Sequence, residues 1–368
     1  MRFSPTLSFY IGRHFLLAFF SVLAIIVGLI LLFDLVELTR RMATHEDMSL
    51  ALVVQMALLK LPQMVHVVMP FAVMVGAMVA FWRLTRSAEL VVARAAGVSV
   101  WQFLTPVVAL VFLVGTFEIT CFNPFAAICY ARYERMQDEL NMRHANPLAV
   151  STAGLWLRES LPEGQSAVVH AAVVRQQGRQ LTMHGISIFR LDARDRFVDR
   201  LEAVSGTLFD GYFDLATVWR LAPGREGESH TTLRLPTSLT LSKIEDTFAS
   251  PEAISFWELP GYIAFFESAG FSSHTQRLYW HSLLATPFLL CAMALVAAAF
   301  SLKPNMRSGG LMARVGGGVA SGFCLYFFSK LVYALGLSST LPLTLAAWSP
   351  AGVTGLVGLA SLFYLEDG

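Results

Sequence analysis

Five basic side chains stand at positions where they could bind phosphate groups. Arg40 and Arg41 are adjacent, Lys60 follows nineteen residues later, and Arg132 and Arg135 are three residues apart. Guanidinium groups bind phosphate oxygens through paired hydrogen bonds, and a lysine ammonium adds a point charge. At one depth of a membrane, the five side chains could hold the phosphates of an anionic lipid. The alternative is that each reaches ordinary headgroups, as long cationic side chains at helix ends commonly do.

A second candidate for chemistry is an acid in an otherwise basic stretch. Residues 84–97 are rich in helix-forming Ala, Leu, Glu and Arg, with an early serine that can cap the helix and a final glycine that can end it. Glu89 lies between Arg86 and Arg94. Such a helix resembles the coupling helix of an ABC permease, in which a carboxylate accepts hydrogen bonds from a basic groove of an ATPase. The plainer alternative is an ordinary basic loop.

Sequence patterns of common enzymes are missing. There is no G-x-x-x-x-G-K-[ST], no H-E-x-x-H and no G-x-S-x-G. The four cysteines, Cys121, Cys129, Cys291 and Cys324, form no C-x-x-C pair and are predicted to be small buried hydrophobic residues. We therefore expect no enzyme activity, cofactor or metal of the chain's own, and energy supplied by a partner or an ion gradient.

The composition indicates a membrane protein with one water-soluble insert. Of the 368 residues, 55% are hydrophobic and 14% charged, against roughly 25% charged in average soluble domains. Of the 53 Asp, Glu, Lys and Arg residues, 33 fall between Arg132 and Arg277. The net charge of +1, without a long basic run, gives no indication of nucleic-acid binding.

Six segments are long and apolar enough to cross a bilayer, which needs about 20 residues each. They are 15–33, 61–82, 95–117, 278–302, 315–335 and 343–365. The basic residues near their ends define the cytoplasmic side: Arg2, Arg13, Arg83, Arg86, Arg94, Lys303, Arg307 and Arg314. Both termini are thus predicted to be cytoplasmic, and the insert after the third span lies outside.

The insert, residues 123–275, separates spans one to three (1–122) from spans four to six (276–368). Its short alternating runs, such as 154–158, 186–191 and 233–241, predict many strands in a sandwich or jelly roll. Residues 251–269 return to a helical pattern, for which we expect an amphipathic link at the outer membrane surface.

A few other residues within the spans stand out. Gly318 and Gly322 form a G-x-x-x-G surface that permits close helix packing, within the chain or with another subunit. Asp34, Glu118 and Lys330 are ionisable residues at or inside span ends, where such groups usually pair or face a cavity.

The order of motifs along nearly the whole chain resembles the LptF/LptG family of lipopolysaccharide-export permeases. The motifs are YIGR (10–13), LP (61–62), MPF (69–71), SAELVVARAAG (87–97), Glu118 before Pro124, GLWLR (154–158), VWRL (218–221), ISFWELP (254–260) and WSPAG (348–352). The link around Trp257 and the start of span six are more similar to the LptG branch than to the LptF branch.

The resemblance implies a polytopic inner-membrane permease of a Gram-negative bacterium with a periplasmic β-jelly roll. In the family, one LptF and one LptG enclose a cavity facing the outer leaflet, a dimeric ATPase (LptB) binds ATP and drives the cycle, and LptC joins through one helix and a β domain. Arg40 and Arg41 take the place of a basic pair that faces lipid A phosphates. Asp34 departs from the pattern, which has a basic residue there.

Alternative functions stay open on the residues alone. The chain could be the sister LptF-type subunit, a membrane sensor or assembly scaffold with a ligand-binding β domain, or a polytopic lipid-modifying enzyme. The missing catalytic patterns count against the enzyme, and the helix around Glu89 counts against the scaffold.

Overall fold

The chain folds into a helical unit and a β unit. The computed structural model describes residues 5–42, 50–87, 89, 99–140, 149–151, 154–160, 166–177, 180–192, 196–224, 226–237, 239–240, 244, 248–268, 270–301 and 310–366. The helical unit comprises Met1–Tyr133, Glu252–Trp257 and His274–Gly368; the β unit comprises Glu134–Pro251 and Glu258–Ser273. The boundary lies beyond the predicted residue 123 because the third membrane helix continues into the insert.

The six predicted spans are confirmed as six apolar helices in the described part of the chain. Their elements are α1 (Pro5–Met42), α2 (Leu50–Arg86), α3 (Val100–Phe117), α6 (His274–Ser301), α7 (Gly310–Leu337) and α8 (Leu343–Glu366). A π-helical turn, Glu118–Phe122, joins α3 to α4 (Asn123–Leu140) without interrupting the helix. A short helix, α5 (Leu259–Ser268), belongs to the β unit.

Helix α2 packs closely against both α1 and α7. A Cβ atom at Gly76 would lie 2.7 Å from the Cα of Phe19, so α1 and α2 touch backbone to backbone. On α7, Gly318 and Gly322 lie against the side chains of Met78 and Met74 of α2. The G-x-x-x-G surface is therefore used within this chain.

The β unit contains one antiparallel sheet in which every strand pairs with its neighbours in sequence. Its strands are β1 (Ala149–Ser151), β2 (Gly154–Ser160), β3 (Ser166–Gln177), β4 (Gln180–Leu191), β5 (Phe197–Phe209), β6 (Tyr212–Leu221) and β7 (Glu228–Pro236). The predicted fold class, six membrane helices with an inserted β domain, is confirmed. The strand order refines the jelly roll to a meander, because none of the described strands makes a Greek-key crossover.

The amphipathic link packs on the sheet and does not present its apolar face outward. Leu259, Ile263 and Phe266 of α5 are buried, and Phe266 shares the apolar core that lines one face of the sheet. The helix ends at Ser268, and Gly270 follows it with a φ of +83°, which suits glycine. The apolar face of this helix is thus buried inside the β unit, and its position at the outer membrane surface stays a prediction.

Three adjacent strands are tied together by a buried carboxylate. Asp199 of β5 accepts hydrogen bonds from Arg190 of β4, with Nε at 2.6 Å, and from Arg220 of β6, with Nε at 2.8 Å. Burial by itself would raise the pKa of Asp199, but the hydrogen bonds and positive charges of the two arginines together outweigh burial and lower this pKa below its usual value.

The four cysteines are all free thiols. Cys129 and Cys291 are partly buried, whereas Cys121 and Cys324 are exposed on the surface of the helical unit. The prediction of four buried cysteines is therefore wrong for these two. An apolar membrane helix has lipid-facing positions as well as buried ones, and hydrophobicity does not separate the two.

The close α1–α2 contact predicts that Gly76→Ala destabilises the protein. The new methyl group meets the backbone of α1, which cannot rotate away as a side chain can, so the helices must move apart at a cost of about 1–3 kcal/mol. The apparent Tm of the detergent-solubilised protein should fall. Gly28→Ala is the matched control, since nothing lies within 4 Å of a Cβ there. Equal Tm values for the two variants would contradict the contact.

Asp199→Asn should loosen β4, β5 and β6. Loss of the charge-assisted hydrogen bonds, with both arginines able to turn toward water, should lower the local opening free energy by about 2 kcal/mol. Hydrogen exchange of the intact protein, followed by mass spectrometry, measures this energy for each strand. Asp214→Asn is the control, because the Asp214 side chain is partly exposed and its Oδ1 lies 3.8 Å from Arg234 Nε.

The same network has a defined pH dependence. Because the pKa of Asp199 is lower in the folded chain than in the unfolded one, its contribution is complete above the unfolded value of about 4 and is lost as pH falls through the lowered pKa. Wild-type opening energies of these strands should decline only at acidic pH, and Asp199→Asn should reduce that decline. An identical acid profile in the variant would refute the role of Asp199.

Candidate functional site

An ion pair joins the first two membrane helices at one end of the helical unit. Nζ of Lys60 in α2 donates a hydrogen bond to Oδ1 of Asp34 in α1. The same ammonium lies 5.9 Å from the ring centroid of Tyr133, at the far end of the third span. Burying one of these charges without the other would be costly, so the pair fixes the relative position of α1 and α2.

A second pair lies deeper in the helical unit, at the π-helical turn. Nδ1 of His66 in α2 is hydrogen-bonded to Oε1 of Glu118, whose side chain is 1% exposed. The π-turn adds a residue to the helical repeat and so changes the direction of the side chains that follow. Asp34 and Glu118, for which the sequence predicts pairing or a place at a cavity, thus each have a partner on α2.

The structure divides the five candidate phosphate-binding residues into two kinds. Arg40 is exposed in the last turn of α1, and Arg132 and Arg135 are exposed on α4, three residues apart on one helical face. The side chain of Arg41 lies outside the described residues. Lys60 differs from the arginines because its charge is balanced by Asp34.

The candidate coupling segment is only partly described. Helix α2 extends through Arg86, so the first residues of the predicted 84–97 helix belong to α2. The guanidinium of Arg86 lies 5.4 Å from the ring centroid of Trp82. Glu89 is exposed, and its carboxylate interacts with the hydroxyl of Tyr10 on α1. Residues 90–98, which include Arg94, lie outside the described part of the chain.

The segment Glu252–Trp257 is attached to the helical unit by two long-range hydrogen bonds. The backbone N–H of Phe256 donates to Oδ1 of Asn123 at 2.8 Å, and Nε1 of Trp257 donates to the carbonyl oxygen of Thr120 at 3.0 Å. These contacts hold the chain beside the π-turn before it enters α5. The sequence singled out Trp257 only through the family motif, and gave no sign of its partner.

A cavity of about 190 Å³ lies within the helical unit, and several polar side chains are set in its largely apolar wall. Its lining includes Gln63 and His66 of α2, Tyr279 of α6, Lys330 of α7, and Glu252. The sequence pattern indicates Lys330 as a candidate functional residue but does not indicate Gln63, Glu252 or Tyr279. An amide and a tyrosine inside apolar spans give no periodic signal, and Glu252 is nearly two hundred residues from Gln63 in the chain.

Comparison with known proteins places the chain in a family. The sequence profile "Lipopolysaccharide export system permease LptF/LptG" matches residues 9–364. The chain is 25% identical over 319 residues, 82% of each chain, to the lipopolysaccharide export system permease protein LptG of Escherichia coli K12. It is 22% identical over 365 residues to the protein of the same name from Haemophilus influenzae, covering 94% of this chain and 95% of that one.

These matches decide between the classes of function that the residues left open. The family profile covers both groups of membrane helices and the β unit, and it indicates a transporter subunit. A lipid-modifying enzyme or a sensor scaffold would not account for a match to this profile. The chain is a multi-pass membrane protein and is not an enzyme by itself. It belongs to the LptF/LptG family, the permeases of the lipopolysaccharide export system.

Proposed function

We propose that the chain is the LptG-type half of a permease that takes lipopolysaccharide from the outer leaflet of the inner membrane to a periplasmic bridge. The observation that carries this proposal is the family match over residues 9–364, together with the relatives named LptG. An LptF-type sister subunit, a cytoplasmic LptB-type ATPase dimer that binds ATP, and an LptC-type partner complete the proposed complex. The alternative within the family is that this chain is the LptF-type half.

The proposed orientation has both termini in the cytoplasm and the β unit in the periplasm. It is supported by the excess of Arg and Lys on one side of the six spans. In this orientation Arg40 and the Asp34–Lys60 pair lie toward the outer leaflet, whereas Arg13, Arg86 and Glu89 lie toward the cytoplasm. The substrate and the ATPase would then meet opposite ends of the same helices.

The proposed phosphate-binding residues are Arg40, Arg41, Arg132 and Arg135. The described arginines of this set are exposed and have no carboxylate within 4.0 Å in the ion pairs of the described chain. Lys60 supports the set indirectly, since its pair with Asp34 fixes α1 beside α2. This arrangement also accounts for the acidic residue at position 34: it serves helix packing, and the phosphates are left to the arginines.

Replacing Arg40 and Arg41 together by alanine should weaken substrate binding. Each lost charge-assisted contact costs about 1.5–3 kcal/mol, so photo-crosslinking of lipopolysaccharide to the purified complex should fall at least about tenfold. Arg13→Ala is the matched control, an exposed arginine at the other end of the same helix. ATP hydrolysis should persist in both variants. Unchanged crosslinking in the double variant would favour simple contact with bulk headgroups.

Glu89 is proposed to transmit the ATPase cycle to the membrane helices. Its carboxylate is exposed beyond the end of α2, where a basic groove of an ATPase could donate hydrogen bonds to it. Its one described interaction within the chain is with the hydroxyl of Tyr10. The two roles, contact with a partner and contact with α1, can be separated by changing each residue alone.

Glu89→Lys should uncouple transport from ATP hydrolysis. Loss of one member of an interfacial charged pair costs about 2–5 kcal/mol, which is enough to detach the ATPase or disconnect its movement. Co-purification of the ATPase and release of lipopolysaccharide from vesicles measure the two effects. Tyr10→Phe, which removes only the contact within the chain, should behave like the wild type. If Tyr10→Phe reproduced the defect, the contact with α1 would be the functional one.

A further inference from the structure

The cavity of the helical unit has the chemistry of a receptor for a zwitterion. Besides His66, which is paired with Glu118, it is lined by the ammonium of Lys330 on α7 and the carboxylate of Glu252 in the 3-10 turn Pro251–Ala253. The ion pairs of the described residues do not join them to each other. Lys330 instead lies over the ring of Tyr326, with Nζ 5.6 Å from the centroid. An ammonium and a carboxylate that face one cavity without pairing can bind a ligand with both charges.

Two buried side chains in the cavity wall have unused hydrogen-bonding capacity. Gln63 is 5% exposed, and no donor in the described structure reaches its Oε1. Tyr279 is also 5% exposed. Gln63 and Asn123 lie close to the Tyr279 hydroxyl, yet neither completes a hydrogen bond with it within 3.5 Å. Unsatisfied buried polar atoms around a cavity call for a partner that occupies it.

The polarity of these groups specifies the two ends of such a partner. Gln63 Oε1 and the Glu252 carboxylate are acceptors, so they require a donor such as a primary ammonium. Lys330 and the tyrosine hydroxyls are donors, and they suit the oxygens of a phosphate. A bound metal ion fits poorly, because no three His, Cys, Asp or Glu side chains come together in the described parts of the chain.

The position of Lys330 along α7 agrees with a lipid headgroup as the source of that phosphate. Lys330 lies seven residues before the end of α7 at Leu337, about 10 Å along the axis at 1.5 Å per residue. Its long side chain can cover much of this distance toward the headgroup layer. Lys330 lines the cavity and is also exposed, so the cavity is open to the surface of the helical unit at this residue.

The Glu252–Trp257 segment explains how an acidic residue from outside the spans comes to face this cavity. Its hydrogen bonds to Asn123 and Thr120 hold it on the helical unit. The carboxylate of Glu252 is thereby close enough to His66, Tyr279 and Tyr333 to interact with them electrostatically. The acceptor end of the cavity is thus supplied by the segment that precedes α5.

We propose that this cavity binds the headgroup of an aminophospholipid, phosphatidylethanolamine being the type, with its phosphate at Lys330 and its ammonium at Glu252 and Gln63. The site uses none of the arginines assigned to the transport substrate, so it does not rest on the proposed function. A lipid bound there would bridge α2, α6, α7 and the Glu252–Trp257 segment.

Photo-crosslinking with lipids that differ only in the headgroup tests the proposal. The full-length protein, purified with its partners, is placed in phosphatidylglycerol nanodiscs containing a phosphatidylethanolamine, phosphatidylcholine or phosphatidylglycerol probe, each with a diazirine in the acyl chain. Labelled peptides of α7 are quantified by mass spectrometry. We expect the ethanolamine probe to label them about tenfold more than the other two, because choline has no N–H donors and glycerol has no charge.

The variants separate the two ends of the site. Lys330→Gln and Glu252→Gln should each lower labelling by the ethanolamine probe to the level of the choline probe, whereas Lys330→Arg should keep it. Glu258→Gln is the matched control, an exposed glutamate six residues beyond Glu252 that does not line the cavity. The comparison of the three probes on the wild-type protein does not depend on how any variant folds.

Three results would overturn the proposal. Equal labelling by the three probes would mean that α7 contacts only bulk lipid. Unchanged labelling in both Gln variants would mean that the charges do not hold the headgroup. Displacement of the ethanolamine probe by an equimolar amount of lipopolysaccharide would assign the cavity to the transport path. Loss of lipopolysaccharide crosslinking in the Arg40/Arg41 variant with ethanolamine labelling intact would show the two sites to be separate.

Discussion

Ionisable side chains inside a bilayer are stable only when they are paired or hydrated, and this constraint organises the helical unit. Helix α2 carries two of the partners: Lys60 binds Asp34 of α1, and His66 binds Glu118 at the π-turn. Each pair joins side chains of different helical elements, across 26 and 52 residues of sequence. In lipid the hydrophobic effect contributes little to helix association, so such pairs and close backbone packing must hold the helices together. Gly76 against Phe19 supplies that close packing between the same two helices.

In the β unit the hydrophobic effect is the main force, because water favours burial of the apolar face of the sheet. Its sheet buries one face under α5 and the aromatic residues around Phe266, Phe248 and Phe271. The buried charge of Asp199 is satisfied by arginines of both neighbouring strands. An amphipathic helix such as α5 can bury its apolar face either in a protein core or in a membrane surface. In this chain the apolar face of α5 packs into the core of the β unit.

Pairing also separates the cations that hold the structure together from those available for function. Lys60 is committed to Asp34, whereas Arg40, Arg132 and Arg135 are exposed and can meet an anionic lipid. Lys330 belongs to neither group, since it faces a cavity whose opposite charge, Glu252, comes from the chain beside the β unit. A transport permease needs both a surface for its cargo and a firm connection between its helices, and under the proposed assignment different cations serve the two purposes.

The sequence by itself determined the class of protein and most of its elements. Uncharged runs of span length and alternating runs in the insert predicted the six helices and the strands, because lipid and a half-buried sheet each impose a period that composition reveals. The motifs also indicated the family. The tertiary structure decided which charges pair, since Asp34 with Lys60 and Glu118 with His66 are contacts across 26 and 52 residues. It also decided that α5 covers the sheet, that Gly318 and Gly322 pack against α2, and that Glu252 joins Gln63 and Lys330 around one cavity. Each of these contacts depends on which faces of separate elements meet. A local sequence pattern shows only that a face is apolar or charged, and not what it packs against.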